Sequence, residues 1–249
     1  MHVGSRLKFF LGSVLDARSV ADLVALLQSA ALELGYDCFA LVQHVDLSGS
    51  LENVVALCTY RGDWMERFIS RGYHRFDPVV TTSHRYGAPF GWDSIPSLIP
   101  VTKRQRRMLS EARRFGIRDG LTVPLHMPGE RLAACTFASA DRKVATIEDK
   151  AAAHVIATFA YQEARELVQG PPRTHGPPRL TDRQIDCVAL SAAGKTEWET
   201  GRILALSPAT VHYHLTEAMR RYGVFNRQQL LFHALRDGLI SFSEIRPVV

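Results

Sequence analysis

Between Tyr60 and Trp92 the chain gathers side chains suited to closing around a small molecule that is partly apolar and partly polar. Tyr60, Trp64, Phe68, Tyr73 and Phe76 lead into Asp77-Pro78, and Pro89-Phe90-Gly91-Trp92 follows, well above the 9% aromatic content of the whole chain. Trp64 and Phe68 alone, four residues apart, describe an ordinary core-facing helix stripe. Asp77 shifts the weight toward a site. A carboxylate among aromatic rings is costly to bury unless it is hydrogen-bonded. A ligand amide N–H would satisfy it while the rings bury an acyl group.

A second set of chemically suggestive residues lies near the carboxy terminus. Thr196–Leu215 reads as helix, tight turn, helix, with Ile203, Leu206, Val211 and Leu215 spaced to lock the two helices together. Ala209, Thr210, His212 and Tyr213 are then left for a DNA groove. Other readings of the region are weaker. Gly194-Lys195-Thr196 has the ending of a phosphate-binding loop, but Ala189 stands where the earlier glycine belongs and the preceding segment is helical. His212 and His214, two apart on a helix, point to different faces and are poorly placed to share a metal. His214 fits a structural role and His212 an exposed one. Lys195, Arg220, Arg221 and Arg227 fit either solvated surface charges or phosphate contacts.

The elements that must position these groups fall into two modules. Four prolines and two glycines in Gln169–Arg179 block a regular helix and predict a semi-stiff linker over 169–179. It separates a domain of residues 1–168 from one of residues 180–249. In the first, Val20, Leu23, Val24, Leu27, Ala30, Ala31 and Leu34 recur at helical spacing behind a Ser19 cap and ahead of Gly35. Strand-like runs follow at Cys38–Val45, Val54–Tyr60, Gly120–Leu125 and Leu132–Ala138. Helical runs lie at Asp63–Ser70, Lys103–Phe115 and Thr146–Leu167. This alternation predicts an α/β/α sandwich. The second module is all-α, with four helices expected at Asp182–Ala193, Glu197–Ala205, Pro208–Tyr222 and Arg227–Asp237. Thr181, Thr196 and Ser207-Pro208 supply start signals, and Gly194, Gly223 and Gly238 supply stops.

Composition bounds the rest. The 249 residues are 46% hydrophobic and 22% charged, which excludes a mainly disordered or collagen-like chain. The net charge of +5 permits anionic partners without demanding them. Four scattered cysteines with no C-x-x-C pair suggest neither a zinc knuckle nor a disulfide framework, so a reducing cytoplasm is expected. The run Phe9–Leu15 after Arg6 and Lys8 is too short and too soon interrupted by Asp16 and Arg18 for a signal peptide. No stretch reaches the ~18–20 apolar residues of a membrane span, and a soluble protein is expected. From Leu180 to Ile240 there are seven Lys and Arg against six Asp and Glu, a weak field for one DNA-binding copy. A dimer on two adjacent half-sites adds the contacts that one copy lacks.

Leu180-Thr181, Arg183, Gly194-Lys195-Thr196, Glu199, Ser207, Thr210-Val211, His214, Gly223-Val224, Asn226-Arg227 and Gly238-Leu239-Ile240 together resemble the helix-turn-helix of LuxR-type transcription factors. Gln184 stands where that family usually has Glu, and Thr200-Gly201 replace its usual Ile-Ala. These departures bear on local packing or polymerase contact more than on DNA binding. The resemblance implies DNA-side roles for Lys195, Thr196, Ser207, Ala209, Thr210, His212, Tyr213, Arg220, Arg221 and Arg227. Tyr60, Trp64, Asp77, Pro78, Trp92 and Gly120 likewise resemble signature positions of the LuxR-type autoinducer-binding domain, over roughly residues 20–165.

That second resemblance implies an N-acyl- or aryl-homoserine lactone as signal ligand, with no metal or other cofactor. Trp64 would donate to the lactone carbonyl, Asp77 would accept the amide N–H and Tyr60 would bond the amide carbonyl. Thr136 would assist and Trp92 would wall the lactone end. Tyr73 and Phe90 complete the expected ligand set. Phe68, where the family often has Tyr, makes its part of the site more apolar. The implied protein is a cytoplasmic, homodimeric quorum-sensing regulator that binds an inverted-repeat operator and contacts RNA polymerase. A lactone-processing enzyme with Asp77 as base is the main rival class. Against it, the chain has neither an H-x-H-x-D-H cluster nor a G-x-S-x-G turn. A regulator of this type answering a different small molecule is a further alternative. A phosphorylated receiver domain needs an acidic cluster that Asp37-Cys38-Phe39 does not supply.

Overall fold

The computed structural model describes residues 10–45, 52–127, 130–141, 144–170 and 178–241. Phe9 and the residues before it, and most of the expected linker, lie outside this set. The chain divides into two compact units, Met1–His126 with Arg131–Pro172, and Arg173–Val249 with Met127–Glu130.

The first unit is built on a five-stranded sheet in the order β2-β1-β5-β4-β3. Its strands are β1 (Cys38–Gln43), β2 (Ala56–Cys58), β3 (Phe90–Gly91), β4 (Asp119–Leu125) and β5 (Ala133–Ser139). Every pairing is antiparallel, with Ala40 opposite both Cys58 and Thr136, and Thr122 opposite Thr136. Along β1 the burial alternates, because successive side chains leave opposite faces. Phe39, Leu41 and Gln43 turn to one face, where Gln43 Nε2 donates to the Tyr161 hydroxyl at 2.9 Å.

Two long helices cover that face. Helix α1 (Val20–Glu33) starts at Ser19, whose hydroxyl accepts from the Asp22 N–H, and ends before Gly35 at φ 79°. Helix α6 (Ile147–Gln169) starts at a Thr146–Asp149 capping box and buries Ala152, Ala153, Ile156, Ala157, Ala160 and Tyr161. Its small side chains let the helix lie close to the sheet. The opposite face is covered by α2 (Gly62–Ser70), α3 (Pro78–Ser83), α4 (Ile95–Leu98) and α5 (Lys103–Ala112). The helix expected to run to Phe115 instead tightens into a 3₁₀ turn at Arg113–Phe115, closed by Gly116 at φ 80°. The layers are helices, sheet, helices.

The second unit contains α7 (Asp182–Ala192), α8 (Glu197–Leu204), α9 (Pro208–Tyr222) and α10 (Arg227–Arg236). Thr181, Thr196, Ser207 and Asn226 each accept the backbone N–H three residues on. Gln184 is buried and completes the Thr181 capping box by accepting from the Thr181 N–H at 2.9 Å, so its amide serves the cap. Cys187, Val188, Val211, Leu215, Ala218 and Leu230 form the core. Ile203 does not lock the two helices as its spacing suggested. It is 56% exposed, and Leu204 packs in its place.

The turn between α8 and α9 explains part of that difference. Ala205 adopts the left-handed conformation at φ 56°, and the Leu206 N–H returns to the Gly201 carbonyl at 2.8 Å. A β-carbon at Gly201 would meet the Leu206 carbonyl oxygen at 2.6 Å. The glycine found where the family usually has Ala is therefore what this tight turn fits.

Candidate functional site

The first unit contains a cavity of about 550 Å³ between the sheet and the helices α2, α3 and α5. Its floor is made of side chains on alternate positions of two neighbouring strands: Ala40 and Val42 from β1, Ala134 and Thr136 from β5. Small residues there leave room above the sheet. Tyr60, Trp64, Phe68, Asp77, Trp92 and Thr136, all expected from the sequence, line this one space.

Two expected residues do not. Tyr73 stands behind the wall, 5.9 Å from the Trp64 ring and donating its hydroxyl to Glu111 at 2.5 Å. The 3₁₀ turn Tyr73–Arg75 aims the ring into the helices, where Glu111 also pairs with Arg67. Phe90 packs in a separate cluster with Val79, Ile95 and Ile99, because its place on the edge strand β3 turns it away from the cavity. Aromatic density therefore marked the region correctly and overcounted the wall.

Asp77 caps α3. Its Oδ1 accepts from the Val79 N–H at 2.7 Å, and Pro78 fills the first helical position, where no N–H is needed. Burial pushes the carboxyl up to about 6, against the pull of the Val79 and Val80 N–H groups. Burial first, then the neighbouring Cys38 and Asp77, pushes the Tyr60 phenol well above its ordinary range, so it keeps its proton. Among the described residues, neither the Tyr60 hydroxyl nor the Trp64 indole N–H has a hydrogen-bond partner.

Trp92 is placed differently. Its indole N–H donates to the Thr122 hydroxyl at 2.9 Å, and Thr122 lies 3.0 Å from the Thr136 hydroxyl. The ring can lie there because residue 120 is glycine: a β-carbon would come within 2.8 Å of both Trp92 Cε2 and the Phe137 carbonyl oxygen. Farther along the floor the cavity ends in groups that the sequence reading missed, His44 and His84, with His44 Nδ1 2.7 Å from His84 Nε2. The available signal was parity: His44 continues the Ala40, Val42 alternation.

In the second unit, Thr196 and Ser207 spend their hydroxyls on caps, and the Ser207 and Thr210 hydroxyls lie 2.8 Å apart. Ala209, His212 and Tyr213 are exposed on α9. Glu197 gathers two of the expected DNA-side groups, with Arg227 at 2.5 Å and His212 at 3.2 Å from the same oxygen. Arg220 pairs with Glu217 at 2.9 Å, and Arg221 donates to the Arg179 carbonyl. Lys195 is half-buried just ahead of α8. His214 is half-buried, edge-on to Tyr213. Among the described residues no group of three His, Cys, Asp or Glu could hold a metal, and no helix is long and apolar enough to cross a membrane.

Comparisons with known proteins agree with this geometry. Residues 19–164 match the autoinducer binding domain, and residues 178–234 match bacterial regulatory proteins of the luxR family. The quorum sensing-dependent transcriptional regulator RpaR of Rhodopseudomonas palustris is 27% identical over 241 residues, covering 95% of this chain and 96% of that protein. The putative HTH-type transcriptional regulator y4qH of Sinorhizobium fredii is 32% identical over 193 residues, but the match takes in 74% of this chain and 56% of that longer protein. Among solved structures, Escherichia coli SdiA superimposes with a TM-score of 0.62 at 19% identity, covering 96% of this chain and 99% of that one. A second SdiA structure, in complex with octanoyl-rac-glycerol, gives 0.60 at 19% identity, covering 96% of this chain and 97% of that one. A cavity beneath a five-stranded antiparallel sheet and a capped helix-turn-helix are thus joined in one chain, which belongs to the LuxR family of bacterial transcriptional regulators, its first unit an autoinducer-binding domain.

Proposed function

We propose that the chain is a cytoplasmic quorum-sensing regulator that binds an N-acyl- or aryl-homoserine lactone in the cavity and, as a homodimer, an inverted-repeat operator through α9. One observation carries the ligand half. Two donors without protein partners, Tyr60 O–H and Trp64 N–H, share a cavity with a buried carboxylate, Asp77. Buried donors are costly to leave unpaired, and Asp77, bonded to the Val79 N–H through one oxygen, has acceptor capacity to spare. An acyl lactone complements them: its amide N–H meets Asp77, its amide carbonyl meets Tyr60 and its lactone carbonyl meets Trp64. Trp92 donates to Thr122, so the Thr122 hydroxyl can in turn donate to Thr136 and leave the Thr136 proton for the amide. Trp92, its own N–H engaged, serves as the wall of the lactone end.

In the second unit the exposed Ala209, His212 and Tyr213 suit base edges, and the basic groups suit phosphates. Dimerisation follows from the weak charge of one copy, and RNA polymerase is the expected further partner. The decisive experiment expresses the protein beside candidate lactone synthases and identifies the extracted ligand by mass spectrometry. A panel of acyl and aryl homoserine lactones should raise the melting temperature and the soluble yield. If none does either, the receptor reading fails. Octanoyl-rac-glycerol belongs in that panel, given the ligand seen on SdiA. Lactone turnover in the same samples would instead favour the enzyme class.

A further inference from the structure

We propose, resting on the lactone-receptor reading, that the His44–His84 pair recognises a hydroxyl carried at the far end of the ligand's acyl chain. The cavity has two chemically distinct ends. Tyr60, Trp64, Asp77 and Thr136 crowd one of them, and the Ala40–Thr136 row of the sheet marks its level. His44 lies four residues farther along the same face, ~13 Å away at the usual strand rise of ~3.3 Å. Only Val42 and Ala134 separate the two on the floor. A head bound among the first group sends its chain over small apolar side chains toward the histidines.

The pair offers a defined set of bonds. His44 Nδ1 and His84 Nε2 are 2.7 Å apart, with ring centroids 4.7 Å apart, so a single proton bridges them. If His44 donates, its Nε2 is left as an acceptor and His84 Nδ1 as a donor; if His84 donates, the two roles are exchanged. Either way the outer nitrogens present one donor and one acceptor. Among the described residues these outer nitrogens have no other partner. Both rings are neutral near pH 7: burial first, then His84 and His126, pushes His44 down to about 3, and burial followed by His126 lowers His84 as well. His126 itself donates Nε2–H to the Ser83 carbonyl at 2.7 Å, which fixes its orientation.

A chain ending in methyl satisfies neither outer nitrogen, and a ketone satisfies only the donor. A hydroxyl can donate or accept, so it pairs with whichever outer nitrogen faces the cavity in either arrangement of the bridging proton. The rival is a carboxylate drawn by Arg85, which also lines this end. His84 and Arg85 are exposed, so the gain is that of a rim contact.

The test uses the full chain and matched pairs of N-acyl-homoserine lactones of six, eight and ten carbons, each unsubstituted, ω-hydroxylated and ω-carboxylated, with Kd measured by calorimetry. At the best-fitting length the ω-hydroxy compound should bind roughly threefold to tenfold more tightly than its unsubstituted partner. That ratio should collapse toward one in His84→Phe and in His44→Phe. Equal affinity within every pair, or a ratio that persists in both variants, overturns the proposal while leaving the receptor reading intact. Tightest binding by the ω-carboxy compound, lost in Arg85→Gln, overturns it in favour of the rival. Failure of every lactone to bind removes both readings together.

Discussion

The two units solve opposite problems with their polar groups. In the helical unit, all four helices carry a side-chain N-cap, and Arg220, Arg221, Arg227 and His212 each have an acceptor within the unit. In the sheet unit, donors and a buried carboxylate converge on a cavity and wait for a molecule to complete them. One unit is finished by its own sequence. The other is finished by its ligand, and any ligand that binds only the folded state adds RT ln(1+[L]/Kd) to stability, about 2.7 kcal/mol at a hundredfold excess. Ligand should therefore raise the melting of the sheet unit and leave that of the helical unit unmoved.

The strongest blow to this contrast is Gly120→Ala. With the new carbon 2.8 Å from a backbone oxygen and from the Trp92 ring, the sheet unit should lose about 3 kcal/mol or more, and soluble protein with it. Proteolysis should show the helical unit still protected. Uniform loss of both units would break the contrast.

Asp77→Asn comes next. Replacing a charged acceptor should weaken ligand binding by ~1.5–3 kcal/mol, read as the half-maximal lactone concentration in a reporter assay. The same carboxyl sets a pH signature. Because its value rises from 3.8 to about 6 on folding, the folded state holds more protons between those values, and stability of the ligand-free protein should fall as pH rises through that window. Lactone affinity should move the other way and strengthen above pH ~6, since the ionised carboxylate is the better acceptor. Melting curves at pH 5 and 7, with and without lactone, check both signs, and Asp77→Asn should abolish both.

Trp64→Phe keeps the apolar wall and removes one donor, so a milder loss of roughly tenfold in lactone affinity is expected, about 1.4 kcal/mol. Insoluble protein instead would mean that Trp64 matters chiefly as core, against Phe115 at 5.4 Å.

The smallest effect should be Arg221→Ala in the helical unit. It should weaken binding to all DNA sequences alike and lower the salt slope by about one. His212→Ala should instead relax preference at one operator position. Footprinting on mutated operators at two salt concentrations separates them, and identical behaviour would show that α9 meets DNA differently.

Local signals carried most of the fold. Ser19, Thr146, Thr181, Thr196 and Ser207 are capping residues whose effect is settled within three residues of chain, and the structure has a helix starting at each. Strand order was not legible, because pairing β1 with β5 joins residues about a hundred positions apart. The wall of the cavity was half legible for the same reason. Aromatic density announces that Trp64 and Tyr73 belong to one region, yet which one faces the space depends on α5, whose Glu111 holds Tyr73. Phe90 was misassigned because a two-residue edge strand leaves no periodicity to read. Ile203 was misassigned because the left-handed turn at Ala205 shifts the packing register to Leu204.

The floor of small side chains has a consequence for how such a receptor diverges. Val42 and Ala134 lie beyond the Ala40–Thr136 row and cap no helix, so each can change by a methyl while the head-group row stays as it is. Every carbon added to the floor takes its volume from the far end of the cavity, and a buried methylene is worth about 0.8 kcal/mol to a ligand chain that fits. Descendants of this sequence can therefore drift from one chain length to the next by single conservative substitutions, each a private channel away from its siblings, while head-group recognition is inherited unchanged.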